Sequence, residues 1–142
     1  MTSLEPIHAS PAYAEEAFRF LTELGFRLED RWVTGGHSVR DGWRISYTAS
    51  SVSLTVTYLD SQLELFFTRS GVSAEYLFID RELFARRSGL YGNMFPPQKL
   101  AGAIDRVATD VRENYGAILR GEATTWNRIK HCLQAPREKR LP

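Results

Sequence analysis

Three histidines and one cysteine are the side chains best suited to hold a transition metal, and their spacing works against it. They are His8, His37, His131 and Cys132. A zinc site needs three or four convergent ligands, usually with a recognisable short spacing. His131 and Cys132 are neighbours, so on a helix they leave about 100° apart, and the other two histidines lie far off in the chain. No metal site and no cofactor is expected. His37 precedes Asp41 by four residues in a glycine-bearing stretch, with Ser38 beside it. A carboxylate there could orient an imidazole toward a hydroxyl nucleophile, but the same residue types commonly build turns. Asp60 and Glu64 could pair for acid–base work. Their positions give them plainer duties, Asp60 in a turn and Glu64 on the solvent side of a strand. Gly-x-Gly-x-x-Gly, Walker, Gly-x-Ser-x-Gly and His-Glu-x-x-His patterns are absent. An enzyme is not expected.

Tyr91, Asn93, Met94 and Phe95 raise a different chemistry, that of contact. They stand among Gly89, Gly92, Pro96 and Pro97, which oppose regular structure, and loops of this kind run over the surface. Large side chains held there are either anchors for a partner's pocket or a lid folded back on the core. These four residues are the candidate contact region for a protein partner.

The elements that would position such residues follow from periodicity. Ser10-Pro11 reads as a helix start, and Ala14, Phe18, Leu21 and Leu24 form a stripe at spacings of four and three. Gly25 is placed to stop that helix, with Phe26 packing back on its last turn. The period then changes to two, which marks strands with one buried face. Phe26, Leu28 and Trp32 alternate with charged residues, with Asp30 as an inward flaw. Trp43, Ile45 and Tyr47 form a second strand, Val52, Leu54, Val56 and Tyr58 a third, and Leu63, Leu65 and Phe67 a fourth. Residues 75–79 are apolar on both faces and read as a short fifth strand, with Asp80 capping a helix over 81–87. Pro97 precedes the longest helix, near 98–120. Its stripe is Leu100, Ile104, Val107, Ala108, Val111, Tyr115, Ile118 and Leu119. A last helix over 123–134 carries Trp126, Ile129 and Leu133. The expected fold is α+β: an N-terminal helix, an antiparallel meander of four or five strands, then three C-terminal helices packed on one sheet face.

At 142 residues with 43% hydrophobic and 12% aromatic side chains, the chain has material for one core, and a single domain over 1–142 is expected, frayed near 1–8 and 136–142. A net charge of +1 gives no broad field for nucleic acid or an anionic membrane. The longest apolar run, Tyr76-Leu77-Phe78-Ile79, is far short of the roughly 20 residues of a spanning helix. The opening Met-Thr-Ser-Leu-Glu-Pro lacks the basic and apolar parts of a signal peptide, and one cysteine permits no internal disulfide. A cytoplasmic protein is expected.

Phe20-Leu21-Thr22-Glu23-Leu24-Gly25-Phe26 leading into a meander, with the Trp126 helix near the end, resembles small bacterial immunity-type proteins that accompany polymorphic or contact-dependent toxins. Related bacterial proteins of unassigned function share the pattern. The resemblance implies an intracellular protein partner, such as a toxin domain neutralised by direct binding, and brings no active site with it. The leading expectation is therefore a protein-binding module. Its alternatives are a small-molecule pocket between sheet and helices, lined by the strand aromatics, and an enzyme using the His37 region.

Overall fold

A computed structural model describes residues 11–33, 42–84 and 94–134. The N-terminal stripe forms two short helices in place of one, Pro11–Ala17 (α1) and Phe20–Glu23 (α2). Ala14, Phe18 and Leu21 are buried. Gly25 stops the run at a φ of 94°, where a side chain would be strained. Its N–H donates to the Thr22 carbonyl at 3.2 Å, and that of Phe26 to the Leu21 carbonyl at 2.9 Å. This paired reversal seats Phe26 against Leu21. Leu24, expected on the buried stripe, is exposed, because the reversal carries Phe26 inward in its place.

Five strands follow: Arg27–Val33 (β1), Gly42–Thr48 (β2), Ser53–Leu59 (β3), Gln62–Arg69 (β4) and Val72–Glu75 (β5). Each pairs antiparallel with the next, in the spatial order β1-β2-β3-β4-β5. Two hairpins are closed by two-residue turns whose central residues all have positive φ, Asp60-Ser61 and Ser70-Gly71. That geometry matches the right-handed twist of the strands they join. The inner face carries Trp43, Ile45 and Tyr47 from β2, Leu54, Val56 and Tyr58 from β3, Leu63, Leu65 and Phe67 from β4, and Ala74 from β5, all buried. The opposite face is laced by hydroxyl pairs between facing residues: Ser46 with Thr55 at 3.2 Å, Thr48 with Ser53 at 3.4 Å, and Thr68 with Ser73 at 3.1 Å.

β1 departs from its expected half-buried pattern, for all seven residues are exposed. Its register with β2 slips between Leu28 and Asp30, so that Leu28 faces Tyr47 but Asp30 faces Ser46. This bulge adds one residue and inverts the alternation beyond it. Asp30 and Trp32 thereby join the outer face, and Arg31 and Val33 the inner one. The inward flaw at Asp30 disappears.

The run from Tyr76 is also reassigned. Tyr76–Leu83 is a helix (α3), and β5 ends before it at Glu75. Asp80 does not cap a helix at 81; it lies inside α3 and is 1% exposed. A short run apolar on every side suits a buried helix as well as a buried strand, and here Tyr76 and Ile79, three apart, both face the core. The long helix spans Pro97–Asn114 (α4) and breaks at Tyr115, whose φ of −105° and ψ of 20° leave the helical range, before Gly116–Leu119 (α5). Ala123–Gln134 (α6) ends the described chain, with Trp126 and Ile129 buried and Leu133 exposed. Residues of α4, α5 and α6 share one core with the inner strand residues. Side-chain hydrogen bonds tie the helices to one another: the Tyr76 hydroxyl of α3 donates to Asp110 of α4 at 2.7 Å, and the Trp126 indole N–H of α6 to the Ile118 carbonyl of α5 at 3.0 Å.

Candidate functional site

The β3–β4 turn is the platform on which the described part of the aromatic loop is held. The Phe95 N–H donates to the Ser61 carbonyl at 2.7 Å, and the Tyr58 hydroxyl donates to the Phe95 carbonyl at 2.7 Å. One residue earlier, Met94 forms an antiparallel bridge with Gln62. The chain is thus fixed on both sides of the Met94–Phe95 peptide. Burial raises the Tyr58 hydroxyl above its ordinary pKa, against a hydrogen bond to Ser61 that lowers it, so the hydroxyl holding Phe95 stays protonated at neutral pH. Phe95 is half-buried on the core, which is the folded-back arrangement. Met94 is 59% exposed and points away from it. The two other members of the candidate region, Tyr91 and Asn93, lie outside the described residues.

A second surface cluster escaped the sequence because of the β1 bulge. On the outer face the Arg44 guanidinium lies over the Trp32 ring, 5.5 Å from its centroid, and reaches Asp30 at 3.3 Å. Trp32 is 42% exposed. Carried unbroken through residue 29, a period of two places Trp32 in the core. The signal that could have found it is Asp30, a charge at an inward position next to a strand with no other fault. On the inner face Arg31 meets Glu15 of α1 at 3.2 Å. The Tyr47 hydroxyl is pushed up to about 12 by burial, with the Glu15 charge adding to the effect.

Among the described residues the other chemistry-bearing side chains are not gathered into a metal site. His8, His37, Ser38 and Asp41 lie outside the described residues. Asp60 takes its place in the β3–β4 turn, and Glu64 faces Thr57 across the sheet. His131 is exposed and Cys132 half-buried on α6. Among the described residues no three His, Cys, Asp or Glu side chains converge as a metal site. The aromatics that would line a ligand pocket pack on one another: Trp43 against Tyr58 with centroids 6.1 Å apart, and Phe67, Tyr76 and Phe84 around Tyr115 at 5.1–5.5 Å. No helix among the described residues is long and apolar enough to cross a membrane. No family model, curated protein or solved structure matches this chain.

Proposed function

We propose that this chain is a protein-binding module whose partner seats on the surface around Met94. One observation carries the reading: a long, exposed apolar side chain stands on backbone fixed by the Phe95 hydrogen bonds and the Gln62 bridge. A thioether side chain adapts to an apolar pocket, and a fixed backbone spares the partner the cost of ordering a loop. The likeness of Phe20–Phe26 to immunity-type proteins supports a toxin domain as that partner, occluded by direct binding in the bacterial cytoplasm.

The test inspects the genes beside this one and co-expresses any toxin gene found there in a sensitive host; a neighbourhood without one would count against the toxin reading. The wild-type chain is expected to restore growth, and Met94→Glu to lose that protection while melting at the wild-type temperature. Phe95→Ala, by contrast, should lower stability by about 1–3 kcal/mol, since it empties a half-buried site. Full protection by a folded Met94→Glu chain would place the contact elsewhere, and a wild-type chain that gives no protection would end the toxin reading.

A further inference from the structure

The inner stripe of β4 runs through Leu63, Leu65 and Phe67, all buried, and the period of two ends it on a cation, Arg69. Among the described residues Arg69 is the one lysine or arginine that is not exposed. Its Nε is sealed from solvent and has no hydrogen-bond partner, and no carboxylate among the described residues pairs with it. A charge drawn out of water is ordinarily paired, because isolation there is costly. From this unpaired guanidinium we infer that Arg69 and Ser51 bind a phosphate group at this end of the sheet. The site lies at the β2–β3 turn, the opposite end of β3 from Met94, and does not depend on the Met94 reading.

Three elements build the site. The β2–β3 turn is tight, with the Ala49 N–H donating to the Val52 carbonyl at 2.9 Å, and it holds Ser51 exposed. Ser53 faces Thr68 across the ladder, so the next residues outward, Val52 and Arg69, lie side by side. Gly121, in the turn between α5 and α6, closes over both strands. The point that a Cβ there would occupy is 2.9 Å from Ser51 Oγ and 3.5 Å from Arg69 Nε. This close approach seals Nε and fixes the stem of the side chain. The two terminal nitrogens are not sealed with it and are the part of the cation that a ligand reaches. The one carboxylate on the α5–α6 turn, Glu122, is engaged by Arg120 at 2.7 Å.

The donor set selects the ligand. The terminal N–H groups of a guanidinium form a planar fork that matches two oxygens of a phosphate, and the Ser51 hydroxyl can donate to a third. A carboxylate has only two oxygens to offer and would leave one of these donors idle. Because the Arg69 stem is already held, binding orders little of the side chain. No acidic residue stands in the first turn of α6, so no like charge on that turn opposes an anion. Free phosphate and a phosphate monoester present the same group to this fork.

Calorimetric titration of the purified chain with sodium phosphate, and separately with methyl phosphate, tests this against sodium chloride at matched ionic strength. Saturable one-site binding of at least one phosphate species is expected, with amide NMR shifts centred on Ser51 and Gly121. The tighter of the two identifies the source, free phosphate or a monoester. Arg69→Met keeps the apolar stem and removes the charge, and it should weaken binding about tenfold or more. Ser51→Ala, on an exposed turn, should weaken it several-fold while melting at the wild-type temperature, and so carries the test should Arg69→Met fail to fold. Saturation by neither phosphate species, amide shifts centred elsewhere on the molecule, or a folded variant of either residue that binds as tightly as wild type would each overturn the proposal.

Discussion

Glu75 occupies the junction of β5 and α3 with extended backbone, at φ −91° and ψ 148°. Burial raises its carboxyl above the ordinary value and the Glu64 charge adds to this. The Leu77 and Phe78 N–H groups and the Arg81 charge pull the other way and lose. A raised carboxyl means that the folded chain holds its proton more tightly than the unfolded one, so ionisation at neutral pH costs stability. The cost is complete above the raised folded pKa, shrinks as pH falls through it, and is gone below the unfolded value of 4.5. Glu75→Gln should therefore raise the urea midpoint at pH 7 and lose that advantage by pH 4. An equal gain at both values would mean that the charge is not its origin. On the sheet, Leu65 points into the core and Thr55 to the other face. Leu65→Ala should cost about 2–5 kcal/mol through lost burial and a cavity, and Thr55→Ala about 1 kcal/mol or less, since only its bond to Ser46 is lost. Comparable losses in urea melts would overturn this assignment of faces.

At the scale of elements, legibility tracked how long a period persisted. The β2, β3 and β4 faces could be read because three or four alternating residues in each agree, and the stripe from Leu100 to Val111 because it repeats over three turns. β1 could not, since one inserted residue at the bulge leaves no mark on composition yet reverses every later side chain. α3 could not, because four consecutive apolar residues carry neither period. The break at Tyr115 lay hidden because stripe residues stay buried on both sides of it, Val111 before and Ile118 and Leu119 after. Of the candidate contact residues, the sequence could place Met94 and Phe95 in one loop. Only the register of the Gln62 bridge separates an outward Met94 from an inward Phe95. The turn between α5 and α6 offers a test at this scale. Gly121 has a φ of 71°, and a Cβ there would lie 2.9 Å from Ser51 Oγ and 3.1 Å from Val52 Cγ2. Gly121→Ala should cost about 1–2 kcal/mol in thermal or urea unfolding. Gly102, exposed inside α4 where a Cβ would meet only the end of the Arg106 side chain at 3.7 Å, should respond oppositely, with Gly102→Ala gaining about 0.5–1 kcal/mol from helix propensity. A loss at Gly102 equal to that at Gly121 would show that neither backbone geometry nor propensity governs these sites.

The whole molecule closes late in the chain. The Tyr13 hydroxyl of α1 donates to Asp105 of α4 at 2.8 Å, across 92 positions, and α4 supplies Leu100, Ala103, Ile104, Val107 and Val111 to the core it shares with the sheet. A chain truncated before Pro97 should therefore show no cooperative urea transition, and one that unfolded cooperatively would mean that the meander stands without its helices. During synthesis this order has a cost in time. Each strand can pair with its predecessor as soon as it emerges, but the part of the inner face that α4 covers stays bare until Asn114 has followed. At ~5–20 residues per second that interval lasts roughly 2–8 s, in which only α1, α2 and α3 of its own are present to cover part of the sheet's inner face. Slower translation or chaperone depletion between Glu75 and Asn114 should therefore lower the yield of folded chain.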